Sequence, residues 1–121
     1  MNTMQTLHIA GPADLATAVP ELLGFDPLES LVLVGITGDT VTAIARLDLA
    51  AIAVPGVLPG LFRAIKRRPS SGVIAIVYTD TTAPTEMLAE PVAECARWAG
   101  LELLAAVRAT AHGVRPLGSP S

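Results

Sequence analysis

The chain has 121 residues, with eight basic side chains against eleven acidic ones, a net charge of −3, and a composition that is 51% apolar but only 3% aromatic. That length suits one domain with its own core and is too short for two. The acidic balance offers no global attraction to a phosphate backbone, and the shortage of rings argues against a base-stacking surface.

Cys95 is the only cysteine, which excludes an internal disulfide and makes a reducing compartment the default. No apolar run reaches the roughly 18 residues that a membrane span needs. Residues 1–6 carry no basic side chain and no apolar stretch follows them, so no signal peptide is expected and the cytoplasm is the expected location. The expected organisation is a single α/β domain over residues 1–116 and a tail over 117–121 that is rich in Gly, Pro and Ser.

In chain order, residues 5–10 form a short candidate strand that ends at Gly11-Pro12. A helix follows, with Leu15, Val19, Leu22 and Leu23 at helical spacing, Pro12 and Asp14 in its first turn, and Gly24 as the C-terminal stop with Phe25 closing an apolar contact. Pro20 lies inside this pattern and is expected to kink or split it.

Residues 30–49 read as a hairpin around Gly38-Asp39. If those two residues form the loop, Thr37 faces Thr40 and Val34 faces Ala43. Val32, Val34 and Ile36 then share a face with Val41, Ala43 and Ala45, while Leu31, Leu33 and Gly35 share the other with Thr42, Ile44 and Arg46. The first strand is apolar on both faces and is expected to be central; the second alternates more and is placed nearer an edge.

The next helix spans residues 55–68, with Leu58, Leu61, Phe62 and Ile65 inward, Arg63, Lys66 and Arg67 outward and Pro59 in the first helical position. Residues 73–78 form a continuous apolar strand. A third helix places Leu88, Val92, Ala96 and Ala99 inward, is interrupted by Pro91 and stops at Gly100. Residues 101–107 make a last strand. The order β-α-β-β-α-β-α-β describes a layered α/β sandwich with a mixed sheet of about five strands, because a hairpin forces an antiparallel pair.

One stretch is unusually specific. It runs Asp14-Leu15, then Val19-Pro20-Glu21-Leu22-Leu23-Gly24-Phe25-Asp26-Pro27-Leu28-Glu29-Ser30-Leu31-Val32-Leu33-Val34-Gly35, and later Ala45-Arg46-Leu47-Asp48-Leu49. This pattern, PxLLGFxPxxSLVxxG followed by RxDL, resembles the actinobacterial domain-of-unknown-function family numbered 4192. Residues 75–80 are similar too, and the resemblance covers most of 13–108. It implies a source in actinobacteria or their phages, hence a bacterial or phage-infected cell, and it carries no activity. Members of that family are usually longer, so this chain is expected to lack a C-terminal half; if that half holds active groups, what is left is a binding remnant.

Two candidate sites emerge. In the hairpin register above, Glu29 faces Asp48, and Arg46 lies diagonally within reach on the same face. Two carboxylates sharing an arginine suit a metal or a general base, while a structural ion-pair cluster accounts for the same residues. The second candidate is the loop Thr79-Asp80-Thr81 after the apolar strand, because ligands in α/β sheets bind beyond the carboxyl ends of strands. Turn chemistry before a helix accounts for the same residues and is the simpler reading.

The run Gly35 to Thr40 lacks the Lys-Ser/Thr of a phosphate loop and leads into a strand. Arg63, Lys66, Arg67 and Arg68 suit either a phosphate or the carboxyl end of a helix dipole. Cys95 falls beside a buried stripe and reads as a small core residue. His8 and His112 have no ligand-spaced partners.

No complete catalytic or metal-ligand set is visible. The expected function is therefore a non-catalytic protein interaction or assembly module, without cofactor or metal. The alternative is a small-molecule or metal-dependent domain using Glu29, Arg46, Asp48 and Asp80. A protein partner or a second copy is the expected partner; a nucleic acid is disfavoured and a membrane is not expected. The last strand, apolar on both faces, is the proposed pairing edge.

Overall fold

The computed structural model describes residues 11–80 and 87–117. Its elements are α1 (Pro12–Leu23), β1 (Ser30–Thr37), β2 (Thr40–Asp48), a short 3-10 turn (Leu49–Ala51), α2 (Val57–Lys66), β3 (Gly72–Tyr78), α3 (Ala89–Trp98), β4 (Glu102–Thr110) and β5 (Gly113–Pro116). From the first helix onward the order is the expected one, with β5 added at the end. The candidate strand over 5–10 lies outside the described residues.

The five strands form one mixed sheet in the order β2-β1-β3-β4-β5. β1 is antiparallel to both β2 and β3, β3 and β4 are parallel, and β5 returns antiparallel to β4. β1 is buried along its length except at Thr37, and β3 is buried up to Tyr78, as their continuous apolar runs require of strands covered on both faces. β2 is partly exposed and forms one edge of the sheet.

Two cores result, one on each face. Leu15, Ala16 and Val19 of α1 pack with Val32, Val34, Ile36, Ile74 and Ile76. Leu58, Phe62 and Ile65 of α2 and Val92 and Ala96 of α3 pack with Leu31, Leu33, Val73, Ala75 and Val77. Phe62 is fully buried and contributes about 2–3 kcal/mol through that burial.

The hairpin register differs from the expected one. Thr37 does face Thr40 and Ile36 faces Val41, but a bulge follows, so that Gly35 pairs with Ala43 and Val34 with Ile44. Thr42 is the extra residue. Its cause is tertiary: Gly35 leaves space filled by Ser70, Ile65 and Thr42, and a Cβ there would lie 2.7 Å from Ser70 Oγ and 3.1 Å from Thr42 Oγ1. The Thr42 and Ser70 hydroxyls bond to each other at 2.5 Å, holding the bulge closed. The slip moves Ala43 and Ala45 to the α2 face and Ile44 to the α1 face.

Pro20 does not split its helix, and Pro59 and Pro91 are placed differently from expectation. α1 runs through Pro20 without a break and stops at Gly24, which is left-handed with φ 85°. Leu22, read as part of the inward stripe, is 44% exposed, and Ala16 is buried in its place. Pro59 is the third residue of α2, which starts at Val57 after Gly56. Pro91 lies in the first turn of α3, where backbone N–H groups have no helical acceptor, so it interrupts nothing.

β4 starts one residue later than expected and ends three residues later, at Thr110, and its outer side is not open throughout. β5 pairs with Val107–Thr110, and the Leu117 N–H reaches the Ala106 carbonyl at 2.8 Å. The pairing edge read from the sequence is covered there by the chain's own next segment.

Candidate functional site

The topology brings three chain segments to one end of the sheet. Because β1 and β3 are antiparallel, Ser30 at the start of β1 sits beside Tyr78 at the end of β3. Because β3 and β4 are parallel, Ala109 lies beside Tyr78 on the other side. Residues entering β1, leaving β3 and turning from β4 into β5 therefore surround one cleft of about 420 Å³, which α1 borders through Ala16 and Thr17.

Glu29 is the distinctive residue of this cleft. Among the described residues it alone, glycine aside, has a positive φ, at 48°. That left-handed conformation costs an L-residue about 1–2 kcal/mol. Its backbone is held from outside, since its carbonyl accepts from the Leu49 N–H at 3.0 Å. Its side chain is held as well: Thr79 Oγ1 donates to Glu29 Oε2 at 2.6 Å. Among the described residues no other donor reaches this carboxylate.

Thr79 is only 5% exposed and is fixed on several sides. Its N–H donates to the Ala109 carbonyl at 3.3 Å, and its own carbonyl accepts from Arg108 Nη1 at 3.2 Å. A buried hydroxyl that donates to a carboxylate positions that carboxylate and is not available to attack a substrate. Asp80 follows directly, exposed, on the wall of the same cleft.

Tyr78 closes the cleft toward α1. Its hydroxyl donates to the Ala16 carbonyl at 2.7 Å. Burial pushes its phenol well above the ordinary range, so the group remains a protonated donor at all physiological pH values.

The proposed trio of Glu29, Arg46 and Asp48 is not assembled. The bulge places Ser30, not Glu29, opposite Asp48, and Val32 opposite Arg46. Arg46 and Asp48 still pair at 2.5 Å, on exposed positions, and the Arg46 guanidinium lies 5.4 Å from the centre of the Phe25 ring. Phe25, expected to seal the end of α1, is instead 49% exposed. Glu29 lies with Thr79 and Asp80, so it passes from the first sequence candidate to the second. Thr81 lies outside the described residues.

Among the described residues there is no group of three His, Cys, Asp or Glu side chains placed to hold a metal ion. Burial and the neighbouring Glu94 push the Cys95 thiol up, which keeps it protonated and a poor nucleophile. No described helix is long and apolar enough to cross a membrane. Sequence reading missed Tyr78 and Arg108 as parts of the site. The one available signal was a tyrosine ending an otherwise aliphatic central strand.

A family model described as Domain of unknown function (DUF4192) matches residues 12–115. No curated protein matches the chain.

Proposed function

The chain belongs to the DUF4192 family, and on that premise we propose that it is a non-catalytic binding module whose cleft takes a small ligand carrying ammonium or hydroxyl donors. One observation carries this reading: Glu29 is held in a strained backbone conformation with its carboxylate fixed by Thr79 at the mouth of the cleft. Strain of that kind persists where surrounding structure imposes it, and it concentrates at ligand sites. Among the described residues the cleft's charged lining is Glu29 and Asp80, both acceptors, which favours cationic or hydroxylated ligands over anions.

Thermal unfolding in the presence of putrescine, glucosamine or a small polyol tests it. At least one should raise the Tm of the wild type and leave Glu29→Gln unmoved. No response from any of them, or an equal response in the variant, contradicts the reading.

A second reading, association with another chain, rests on the remaining part of the β4 edge. β5 begins its pairing at Val107, and Leu104 is 46% exposed. Light scattering over a range of concentrations tests it, and a monomer mass throughout contradicts self-association.

A further inference from the structure

We infer that the surface joining the end of α2 to Trp98 binds single-stranded nucleic acid. Four of the chain's eight cations fall within residues 63–68, although the whole carries a net charge of −3. Two shallow hollows lie along them. One, of about 420 Å³, is lined by Arg63, Lys66, Arg67, Trp98 and Ala99. The other, of about 390 Å³, shares Lys66 and Arg67 and continues past Arg68 to Ser71 and Thr37. The two form one track, and among the described residues no carboxylate lines either.

Helix-dipole complementarity explains cations in the last turn of α2, but it does not explain what stands beside them. Trp98 is 62% exposed, and the Arg63 guanidinium lies 5.4 Å from its ring centre. An exposed indole backed by a guanidinium offers a flat stacking surface, and the cations beside it run from Arg63 and Lys66 of α2 into Arg67 and Arg68 just past its end. A ligand matching both features has a π-face and a phosphate in the same repeating unit. That is the chemistry of a nucleotide strand, and such sites combine a cationic groove with an aromatic platform. An acidic peptide satisfies the cations and leaves the ring unused.

Fluorescence anisotropy with a labelled oligo-dT of about a dozen nucleotides tests this directly, since site sizes of that order are usual for single-strand binders. If three phosphates are neutralised, raising salt from about 50 to about 200 mM should weaken binding roughly eighteenfold. Trp98 is the only tryptophan, so its intrinsic fluorescence should quench over the same titration. Arg67→Glu and Trp98→Ala, both surface changes, should each weaken binding about tenfold while circular dichroism stays unchanged. Absence of binding at low salt overturns the proposal, as does binding that both variants leave intact. A polyglutamate peptide that quenches Trp98 at the same concentration as the oligonucleotide also overturns it, in favour of an acidic protein partner; dTMP matching the oligonucleotide overturns the strand in favour of a free nucleotide.

Discussion

The Tyr78 hydroxyl donates to the Ala16 carbonyl, the acceptor that Pro20 leaves without its helical N–H. In an uninterrupted helix the residue four positions on would bond that carbonyl. Pro20 cannot, and Ala16 is only 6% exposed, so its carbonyl needs a donor from the protein. A strand-end tyrosine supplies the missing donor, which is how α1 continues through a proline that should have broken it. The same bond ties α1 to the floor of the cleft.

Tyr78→Phe should therefore cost about 1–2 kcal/mol of stability in urea unfolding, because it strands a buried acceptor. In a Pro20→Ala background the restored N–H satisfies Ala16, and the same substitution should cost about 1 kcal/mol less. Equal costs in both backgrounds contradict the link. The pH dependence carries a sign. The folded state holds the phenolic proton more tightly than the unfolded chain does, so this contribution is complete below pH about 10 and is lost as pH rises above it. Wild-type stability should fall more steeply above that pH than that of Tyr78→Phe.

The bulge gives a second expectation. Gly35→Ala places a Cβ against Ser70 Oγ, Ile65 and Thr42 at once, so it should destabilise by about 1–3 kcal/mol. Gly60, whose Cβ would meet open space, is the control: in that helix Gly60→Ala should be neutral or stabilising by up to about 1 kcal/mol. Thermal unfolding of the two variants checks both, and similar effects would contradict the close approach at Gly35.

The α/β class, the helices, the hairpin and the two central strands were all legible in apolar periodicity and in glycine and proline placement. The inner register was not, because the Gly38-Asp39 turn speaks only for the first two residue pairs. Beyond them the hole beside Gly35 decides, and it is filled by Ser70 from a distant segment. A one-residue slip was enough to separate Glu29 from Asp48. Asp80 was legible because a strand's carboxyl end is a general ligand position, but its grouping with Glu29 depends on β1 lying beside β3, which no local pattern states. Trp98 and Arg63 are 35 positions apart in the chain, and only the packing of α2 beside α3 brings them together.

Backbone strain at Glu29 makes a third prediction. At an ordinary strand or loop position alanine is at least as stable as glycine, whereas at φ 48° the order should reverse. Glu29→Gly should be more stable than Glu29→Ala by about 1 kcal/mol. Both lose the Thr79 bond, so the comparison isolates the backbone. Alanine equal to or above glycine in chemical denaturation contradicts the strain.

The exposed pair Arg46 and Asp48 should matter little. Asp48→Asn is expected to change stability by less than about 1 kcal/mol, and less again in high salt. It should leave any thermal response to cleft ligands intact. A lost response would return Asp48 to the site and contradict its separation from Glu29.

The central claim is that the cleft between Glu29, Thr79 and the β4–β5 turn receives a small donor-bearing ligand. Backbone amide shifts in nitrogen–proton correlation spectra, followed while putrescine or glucosamine is titrated into the wild-type protein, test it most directly. Saturable shifts are expected at Ala16 and Thr17, Leu28 to Ser30, Tyr78 to Asp80 and Ala109 to Val114, and not elsewhere. Shifts that fail to saturate, or that cluster elsewhere on the domain, would contradict it.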